Sequence, residues 1–405
     1  MKILILTQYY PPETGAPQNR LHSLACYLKQ EGVDIEALTA LPNYPKMEIF
    51  PEYKGKAGMT ETIDGIKIYR SGIYVRKSKS IIKRLMNYFS FVCSSMLRGM
   101  SLPRYDYIIC ESPPLFLGIS AYVISRLRKA KLIFNVSDLW PESAEKLKII
   151  NNKALLGLAY KLEAFLYKRS VLVTGQTQGI ISNIQSRFPK VPTYWLPNGV
   201  DFNMFSPEKA NDDWRKSKGF ADSDFILMYA GVLGHAQGLE IIINAADKLR
   251  SYTGIKFIIM GDGPEKEALH QLKESKQLSN IIFEPNTPRQ LMPSVISSID
   301  AAVIPLKKLD IFLGAIPSKI FEPLAYGKPI LLGVDGEARD LFIDKGKAGL
   351  YFEPENVDAL VAAVLELYND RNKSVSLGAN GIEYARNNFD RQKIALNLLS
   401  KLRSI

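Results

Sequence analysis

The chain has 405 residues, of which 46% are hydrophobic and 23% are charged. This is the composition of an ordinary globular protein long enough for two to three domains with sizeable cores, and it excludes a disordered or fibrous chain. The 52 basic and 41 acidic side chains give a net charge of +11, which favours an anionic partner: nucleic acid, an anionic membrane or a phosphorylated ligand.

The three cysteines, Cys26, Cys93 and Cys110, are odd in number and lack the spacing of metal ligands. Because the first residues do not resemble a signal peptide, we expect a cytoplasmic protein without disulfides. Residues 222–224, Asp-Ser-Asp, have the form of some divalent-cation sites, but they precede a predicted strand, whereas ligands of such folds bind after strands. We therefore predict neither a metal nor a cofactor.

Apolar runs typical of buried parallel strands alternate with helical stretches in two series. The first series occupies residues 2–7, 34–38, 107–110, 132–136 and 171–174. The second series occupies residues 225–230, 256–260, 281–283, 301–305 and 329–332. A turn-rich segment at residues 195–201 separates the two series. This order predicts an α/β protein with two Rossmann-like, doubly wound domains.

We place the first domain at residues 1–196 and the second at 197–386. A charged amphipathic helix at about residues 387–405 is expected to complete the first domain. After the first strand, residues 7–17 form a Pro/Gly-rich loop that leads into a helix beginning near Asn19. Gly15 in this loop could let backbone N–H groups approach a diphosphate.

No acidic residue lies strictly between Gly65 and Tyr105, whereas nine basic residues do. Within this stretch, bulky apolar and aromatic side chains follow a helical pattern that is too short and too charged to span a membrane. The pattern favours a helix at an anionic membrane surface, although an internal amphipathic helix with a solvated basic face is the alternative. The predicted membrane contacts are Arg76, Lys77, Lys79, Lys83, Arg84, Phe89 and Phe91. Nucleic acid is not expected, because no binding module accompanies the basic residues.

Two glycine-rich turns follow the first two strands of the second half. Residues 231–238 could dock a phosphate on exposed amides. Residues 261–265, Gly-Asp-Gly-Pro-Glu, could do the same, although this motif taken singly favours a plain tight turn.

Residues 317–330 contain the most informative motif, in which Pro-Ser-Lys-Ile-Phe-Glu opens a short helix and Gly327 ends it. Lys319 in the first turn opposes the helix dipole unless an anion binds there. Glu322, three residues later, lies on the same face and could accept two sugar hydroxyls. The pair could therefore grip a nucleotide-sugar, or it could be a surface ion pair.

In their order along the chain, these motifs resemble the retaining, GT-B-fold glycosyltransferases of family four. The resemblance rests on Pro-Asn-Gly-Val-Asp at 197–201, the glycine turn at 231–238, Gly-Asp-Gly-Pro at 261–264 and Pro-Ser-Lys-Ile-Phe-Glu at 317–322. The loop around Gly15 and the segment Asp-Leu-Trp-Pro-Glu-Ser at 138–143 are most similar to the bacterial surface-polysaccharide subgroup, which includes N-acetyl-fucosamine transferases of O-antigen and capsule assembly.

The resemblance implies two Rossmann-like domains that face each other across a cleft, with the donor nucleotide on the second. It implies that Glu322 holds the ribose, that Lys319 faces the diphosphate or donor sugar, and that backbone near residues 283–287 meets the base. Amides near the glycines would take the phosphates. The donor-binding residues implied are Gly15, Gly234, His235, Gln237, Gly261, Asn286, Gly314, Ile316, Lys319 and Glu322.

Asp138, where many relatives carry a histidine, is the predicted contact of the donor sugar or acceptor, together with Lys319 as a catalytic residue. Glu142 is the substitute candidate, and a helix N-cap is the alternative role of Asp138. The family's first glutamate is replaced here by Gly314, so a mechanism that depends on that carboxylate fails. The basic pair that many relatives carry in the first glycine turn is also absent, with Val232 or Leu233 and Gln237 in its place.

The resemblance thus implies a retaining transferase that moves a sugar, expected to be an N-acetylated hexosamine or deoxyhexosamine, from a UDP-sugar to a polyprenyl-diphosphate-linked saccharide. The enzyme would sit at the inner face of the plasma membrane. Two alternatives stay open at this point: a nucleotide-sugar epimerase of the same architecture, and a non-enzymatic nucleotide- or nucleic-acid-binding protein. The absence of a Gly-x-Gly-x-x-Gly fingerprint after either leading strand disfavours the second.

Overall fold

A computed structural model describes residues 1–77, 81–146, 150, 152–211 and 213–405, with the backbone alone of residues 81, 82 and 84. The chain divides into two compact units. Unit 1 comprises Met1–Asn198 and Arg391–Ile405, and unit 2 comprises Gly199–Asp390. The last helix of the chain therefore belongs to the unit that the first strand begins.

Unit 1 contains an eight-stranded sheet in the order β3-β4-β2-β1-β5-β6-β7-β8, in which only the β3–β4 pair is antiparallel. The strands are β1 (Lys2–Leu6), β2 (Asp34–Ala40), β3 (Gly58–Ile63), β4 (Ile66–Ser71), β5 (Tyr107–Ser112), β6 (Lys131–Val136), β7 (Leu172–Gly175) and β8 (Thr193–Trp195). The helices are α1 (Ala16–Gln30), α2 (Ile81–Ser101), α3 (Leu117–Arg128), α4 (Glu142–Lys146), α5 (Lys153–Arg169) and α6 (Gln178–Arg187), with the C-terminal helix Arg391–Arg403.

Helices cover both faces of this sheet, because its central strands are apolar on both sides. Ile3 and Ile5 of β1 pack with Leu24 of α1 and Leu398 of the C-terminal helix, whereas Leu4 contributes to the cluster on the opposite face. The C-terminal helix is further fixed by the Tyr107 hydroxyl, which donates a hydrogen bond of 2.8 Å to a carbonyl of that helix.

Unit 2 contains a six-stranded parallel sheet in the order β11-β10-β9-β12-β13-β14. The strands are β9 (Phe225–Ala230), β10 (Ile255–Met260), β11 (Ile281–Glu284), β12 (Ala301–Pro305), β13 (Ile330–Gly333) and β14 (Gly349–Tyr351). The helices are α7 (Asp213–Ser217), α8 (Glu240–Lys248), α9 (Lys266–Ser275), α10 (Met292–Ser297), α11 (Phe321–Ala325), α12 (Glu337–Arg339), α13 (Val357–Asn369) and α14 (Arg371–Asn388); the C-terminal helix is α15. A 3-10 turn, Ser318–Ile320, leads directly into α11.

The prediction of two Rossmann-like α/β domains is confirmed, and each of the ten predicted runs lies on an observed strand within two residues at either end. Four strands were not predicted: the β3–β4 hairpin, β8 and β14. Helix α1 begins at Ala16 rather than near Asn19, because Pro17 fits the first turn of a helix.

Helix α2 packs its buried face on unit 1 and leaves a second apolar face exposed. Phe91 is fully buried, so its prediction as a membrane contact is wrong: its position on the helix turns it into the core with Leu38 and Phe134. Phe89 is 41% exposed. Lys79 and the side chain of Arg84 lie outside the described residues. Within the described ranges, no helix has both the length and the apolar content needed to cross a membrane.

Candidate functional site

The motif at residues 317–322 places Lys319 against the end of β9. The Lys319 Nζ donates a hydrogen bond of 2.7 Å to the Tyr229 hydroxyl and lies 4.1 Å from the centre of the Tyr229 ring. Among the residues that the structure describes, Lys319 forms no ion pair with a carboxylate. Burial lowers the pKa of this lysine to about 7. An amino group held in this way is suited to bind an anion.

The two glycine turns of unit 2 interlock through their backbones beside Lys319. A Cβ at Gly231 would come within 3.1 Å of the Lys319 Nζ, and a Cβ at Gly261 would overlap the carbonyl oxygen of Gly231. Both glycines have a φ near +150°, which side chains rarely adopt. Gly261 is predicted as a donor-binding residue. The packing of the two turns by itself already requires a glycine at this position.

Glu322 does not pair with Lys319, so the alternative of a surface Lys–Glu pair within the motif is wrong. Instead the Glu322 carboxylate accepts a hydrogen bond of 3.2 Å from the guanidinium of Arg289, in the loop after β11. The Arg289 guanidinium in turn lies 5.3 Å from the ring centre of Phe205. Arg289 has no local signal in the sequence, because this contact joins residues 33 positions apart.

The other predicted donor residues occupy the loops after the unit 2 strands. Gly234 is buried and closes a turn in which its carbonyl accepts the backbone N–H of Gln237 at 3.1 Å. The His235 ring is 77% exposed and lies 2.8 Å from Glu265. Asn286 is exposed in the loop after β11. Gly314 and Ile316 are partly buried in the loop between β12 and the motif.

In unit 1, Asp138 lies two residues beyond β6. Its carboxylate accepts a hydrogen bond of 2.6 Å from the Ser143 hydroxyl. Although the residue is exposed overall, partial burial of the carboxyl group raises its pKa above the usual range. Helix α4 begins at Glu142, four residues later, so Asp138 is not its N-cap. Glu142 pairs with Lys146 at 2.6 Å and with Asn183 at 3.1 Å.

The loop after β1 is held by a buried carboxylate rather than by glycine alone. Glu13 accepts backbone hydrogen bonds from Tyr10, Asn43 and Tyr44 at 2.8–3.1 Å. Burial raises the pKa of Glu13 to about 7 despite these three donors. Gly15, predicted as a diphosphate contact, stands at the N-cap position of α1. These contacts tie the loop after β1 to the loop after β2.

Residues 210–384 match the model of the family described as glycosyl transferases, group 1. The match covers the two glycine turns and the motif around Lys319 and Glu322. At full length the chain is 26% identical to WcaI of Escherichia coli K12, which is named as a colanic acid biosynthesis glycosyl transferase; each chain is covered completely.

The chain is a glycosyltransferase.

A second relative of this glycosyltransferase is a mannosyltransferase of Mycolicibacterium smegmatis, named as GDP-mannose-dependent and as acting on phosphatidylinositol monomannoside. The two are 26% identical over 71% of this chain and 81% of the relative. Among solved structures, sucrose-phosphate synthase of Thermosynechococcus elongatus superposes with a TM-score of 0.78 at 15% identity, covering 100% of this chain and 98% of the other. Anabaena HepE with UDP-glucose gives 0.74 at 18% identity over both whole chains. These structures share the GT-B fold class.

The glycosyltransferase also contains a buried polar network in unit 1 that sequence reasoning missed. Arg20 of α1 donates a hydrogen bond of 2.7 Å to Glu111 of β5, and the two side chains are only 5% and 3% exposed. Arg20 also donates to the hydroxyl of Ser137, the residue before Asp138, at 3.0 Å. Glu111 further accepts from Asn135 of β6. This buried ion pair and its hydrogen bond to Ser137 hold the loop that carries Asp138.

No group of three or more His, Cys, Asp or Glu side chains in the described part of the chain could hold a metal ion. The Asp-Ser-Asp segment at 222–224 lies directly before β9, at the amino edge of the unit 2 sheet. There the Asp224 carboxylate accepts a hydrogen bond of 2.9 Å from the backbone N–H of Ala221. Asp224 therefore stabilises a turn before β9.

Proposed function

We propose that this glycosyltransferase moves a sugar from a UDP-sugar to a polyprenyl-diphosphate-linked saccharide, with retention at the anomeric carbon. The proposed donor sugar is an N-acetylated hexosamine or deoxyhexosamine. The observation that carries the proposal is the Lys319 amino group, which has no carboxylate partner in the described residues and stands over the glycine turn of unit 2.

The donor half of the proposal places the nucleotide on unit 2. Lys319 and the amides of the turn at Gly234 would bind the diphosphate, and Glu322 would accept the ribose hydroxyls. Because Arg289 already orients the Glu322 carboxylate, little side-chain entropy is lost when the ribose binds. Lys319 would then stabilise the negative charge that grows on the leaving diphosphate.

The acceptor half places Asp138 next to the reacting hydroxyl. In a retaining transfer, the leaving phosphate can take the acceptor proton on the same face, so a strong protein nucleophile is not required. The raised pKa of Asp138 suits a group that exchanges a proton or a hydrogen bond with the acceptor hydroxyl. Glu142, engaged by Lys146 and Asn183, is the weaker candidate.

The relatives support the class of donor and acceptor. WcaI is named for colanic acid biosynthesis, and the mycobacterial enzyme is named for phosphatidylinositol monomannoside. A further relative, 23% identical over 57% of this chain and 60% of its own, is named as an O-antigen chain mannosyltransferase. HepE was solved with UDP-glucose. These names support a nucleotide-sugar donor in polysaccharide or glycolipid synthesis, and neither the epimerase nor the nucleic-acid-binding alternative gains support.

A transfer assay tests the proposal. The purified protein would be incubated with radiolabelled UDP-N-acetylhexosamines and a polyprenyl-diphosphate-linked monosaccharide, and the label would be followed into the lipid fraction. We expect label to enter the lipid fraction only when that acceptor is present. Conversion of the free UDP-sugar without acceptor would instead support the epimerase alternative.

We further propose that α2 and the segment before it bind an anionic membrane. Arg76 and Lys77 are exposed, and Lys83 is partly exposed in the first turn of α2. On the same helix, Met86, Phe89 and Leu97 are 49%, 41% and 64% exposed. Basic groups beside exposed apolar side chains are typical of a helix that lies in the interface of a bilayer.

Reversal of three charges tests this surface. The triple variant Arg76→Glu, Lys77→Glu, Lys83→Glu is expected to bind vesicles containing phosphatidylglycerol at least tenfold more weakly, because each basic residue contributes about 1 kcal/mol near an anionic surface. The matched control carries the same charge change at the exposed residues Lys54, Lys190 and Lys345. Equal co-sedimentation of the triple variant and wild type would contradict the proposal.

A further inference from the structure

Tyr229 is a buried phenol at the end of β9, two residues before Gly231, and its side chain is only 1% exposed. Its hydroxyl donates a hydrogen bond of 2.6 Å to the carbonyl of Val232 and accepts the bond of 2.7 Å from Lys319. Burial raises the pKa of Tyr229, so the phenol keeps its proton for the Val232 carbonyl. The hydroxyl therefore links the lysine to the glycine turn.

The Lys319 amino group lies close to both the hydroxyl and the ring of Tyr229. The Nζ is hydrogen-bonded to the hydroxyl and also lies 4.1 Å from the ring centre, which is the distance range of a cation–π contact. The backbone of the turn is close to this amino group at Gly231, where an added Cβ would lie 3.1 Å from the Nζ. Tyr229 thus fixes the amino group directly beside the backbone of the first glycine turn.

The charged groups of the neighbouring elements are engaged elsewhere. On the same segment, Glu322 pairs with Arg289 at 3.2 Å. In the loop after β10, Asp262 lies 3.8 Å from the amino group of Lys266, and Glu265 lies 2.8 Å from His235. The first glycine turn presents Val232 and Leu233, which carry no charge. Among the described residues, the Tyr229 hydroxyl is the side-chain group hydrogen-bonded to the Lys319 amino group.

We propose that Tyr229 is a positioning residue that holds the Lys319 amino group beside the glycine turn. When the nucleotide binds, the amino group held in this way contacts the donor diphosphate. This inference rests on the proposed function, because it requires a nucleoside diphosphate at Lys319. It adds a residue outside the recognised motifs and a coupling between donor binding and protonation.

The coupling has a definite sign. With a pKa of about 7 before the donor binds, Lys319 is mostly neutral at pH 8. An adjacent diphosphate stabilises the ammonium form and raises the pKa, so binding takes up a proton. The affinity for the nucleotide is therefore expected to fall as pH rises above about 7, by up to tenfold per unit while the free lysine is neutral and the bound lysine is charged.

Isothermal titration with UDP and with GDP between pH 7 and 9 tests the inference, since the terminal phosphate of a nucleotide is already ionised there. Titration in buffers of different ionisation enthalpy gives the proton uptake. Wild-type protein is expected to take up close to one proton per nucleotide at pH 8. The Lys319→Gln variant is expected to bind more weakly and to take up none.

Tyr229→Phe keeps the ring and removes the hydroxyl. Because the ammonium form loses its acceptor, we expect about five- to tenfold weaker binding at pH 8 and a pH profile displaced to lower pH. Tyr252→Phe, at a tyrosine that is 39% exposed in the same unit, is the matched control and should bind like wild type.

The outcomes separate the two levels of the proposal. If Tyr229→Phe binds UDP or GDP with the affinity and pH profile of wild type, or if wild type takes up no proton, Tyr229 does not have this role although the donor site stands. If wild type binds neither nucleotide at any pH, the proposed function fails and this inference fails with it. The proton uptake is measured on the wild type, so its absence would contradict the inference even if Tyr229→Phe does not fold.

Discussion

Replacement of Lys319 by methionine is expected to slow transfer strongly and, at the same time, to make the free protein more stable. Loss of the cation that faces the leaving diphosphate should lower kcat/KM by about 10²- to 10³-fold. Because the pKa of Lys319 in the folded protein is about 7, well below its ordinary value of 10.5, folding penalises the charged form. This penalty is full below about pH 7 and fades as pH rises toward 10.5.

Thermal unfolding at pH 6.5 measures the stability half of this prediction. Removal of the penalty should raise the Tm by roughly 2–4 °C, the shift that about 1 kcal/mol produces in a domain of 150–250 residues. Lys328→Met is the matched control. Burial also lowers the pKa of Lys328, but this residue precedes β13 at the opposite edge of the sheet. It should therefore gain stability and keep full transfer activity. A Lys319→Met variant that transfers sugar at the wild-type rate would contradict the assignment.

The second large effect is expected at Asp138. Asp138→Asn should lower kcat by about 10²- to 10⁴-fold, the range expected for loss of a group that acts on a proton in the transition state. Donor affinity should change little, because the proposed nucleotide contacts lie on unit 2. The measurement is a comparison of kcat with the dissociation constant of UDP for each variant.

Glu142→Gln serves as the control for Asp138, because Glu142 is the other carboxylate of the same segment. Its contacts with Lys146 and Asn183 predict a small loss of stability and a kcat near that of wild type. A large loss of kcat in Glu142→Gln, together with normal turnover in Asp138→Asn, would show that Glu142 rather than Asp138 acts on the acceptor hydroxyl. Normal turnover in both variants would remove the acceptor half of the proposal.

The central strands could be predicted because each is a continuous apolar run that both faces of a parallel sheet require. The β3–β4 hairpin was not predicted, because β3 alternates between partly buried and exposed residues and has no continuous apolar run. Phe91 was misplaced for a related reason. Helix α2 is apolar on two faces, and the pattern alone does not say which of them packs on the sheet.

The site residues show the same division. Lys319 and Glu322 belong to a local motif and could be found from sequence. Their partners, Tyr229 and Arg289, lie 90 and 33 positions away, so only the fold reveals these contacts. The same is true of the buried pair between Arg20 and Glu111, which are 91 positions apart. Charges whose partners come from distant elements carry no periodic signal in the sequence.

The most direct test of the donor site is thermal unfolding with UDP, GDP, ADP and NAD at matched concentrations, on wild type, Glu322→Ala and the surface control Glu267→Ala. A ligand at 100 times its Kd contributes about 2.7 kcal/mol to the folded state, which corresponds to a rise in Tm of roughly 5–10 °C. We expect such a rise with UDP for wild type and Glu267→Ala, and its loss in Glu322→Ala. Equal rises in all three proteins, or no rise with any nucleotide, would contradict the proposed donor site.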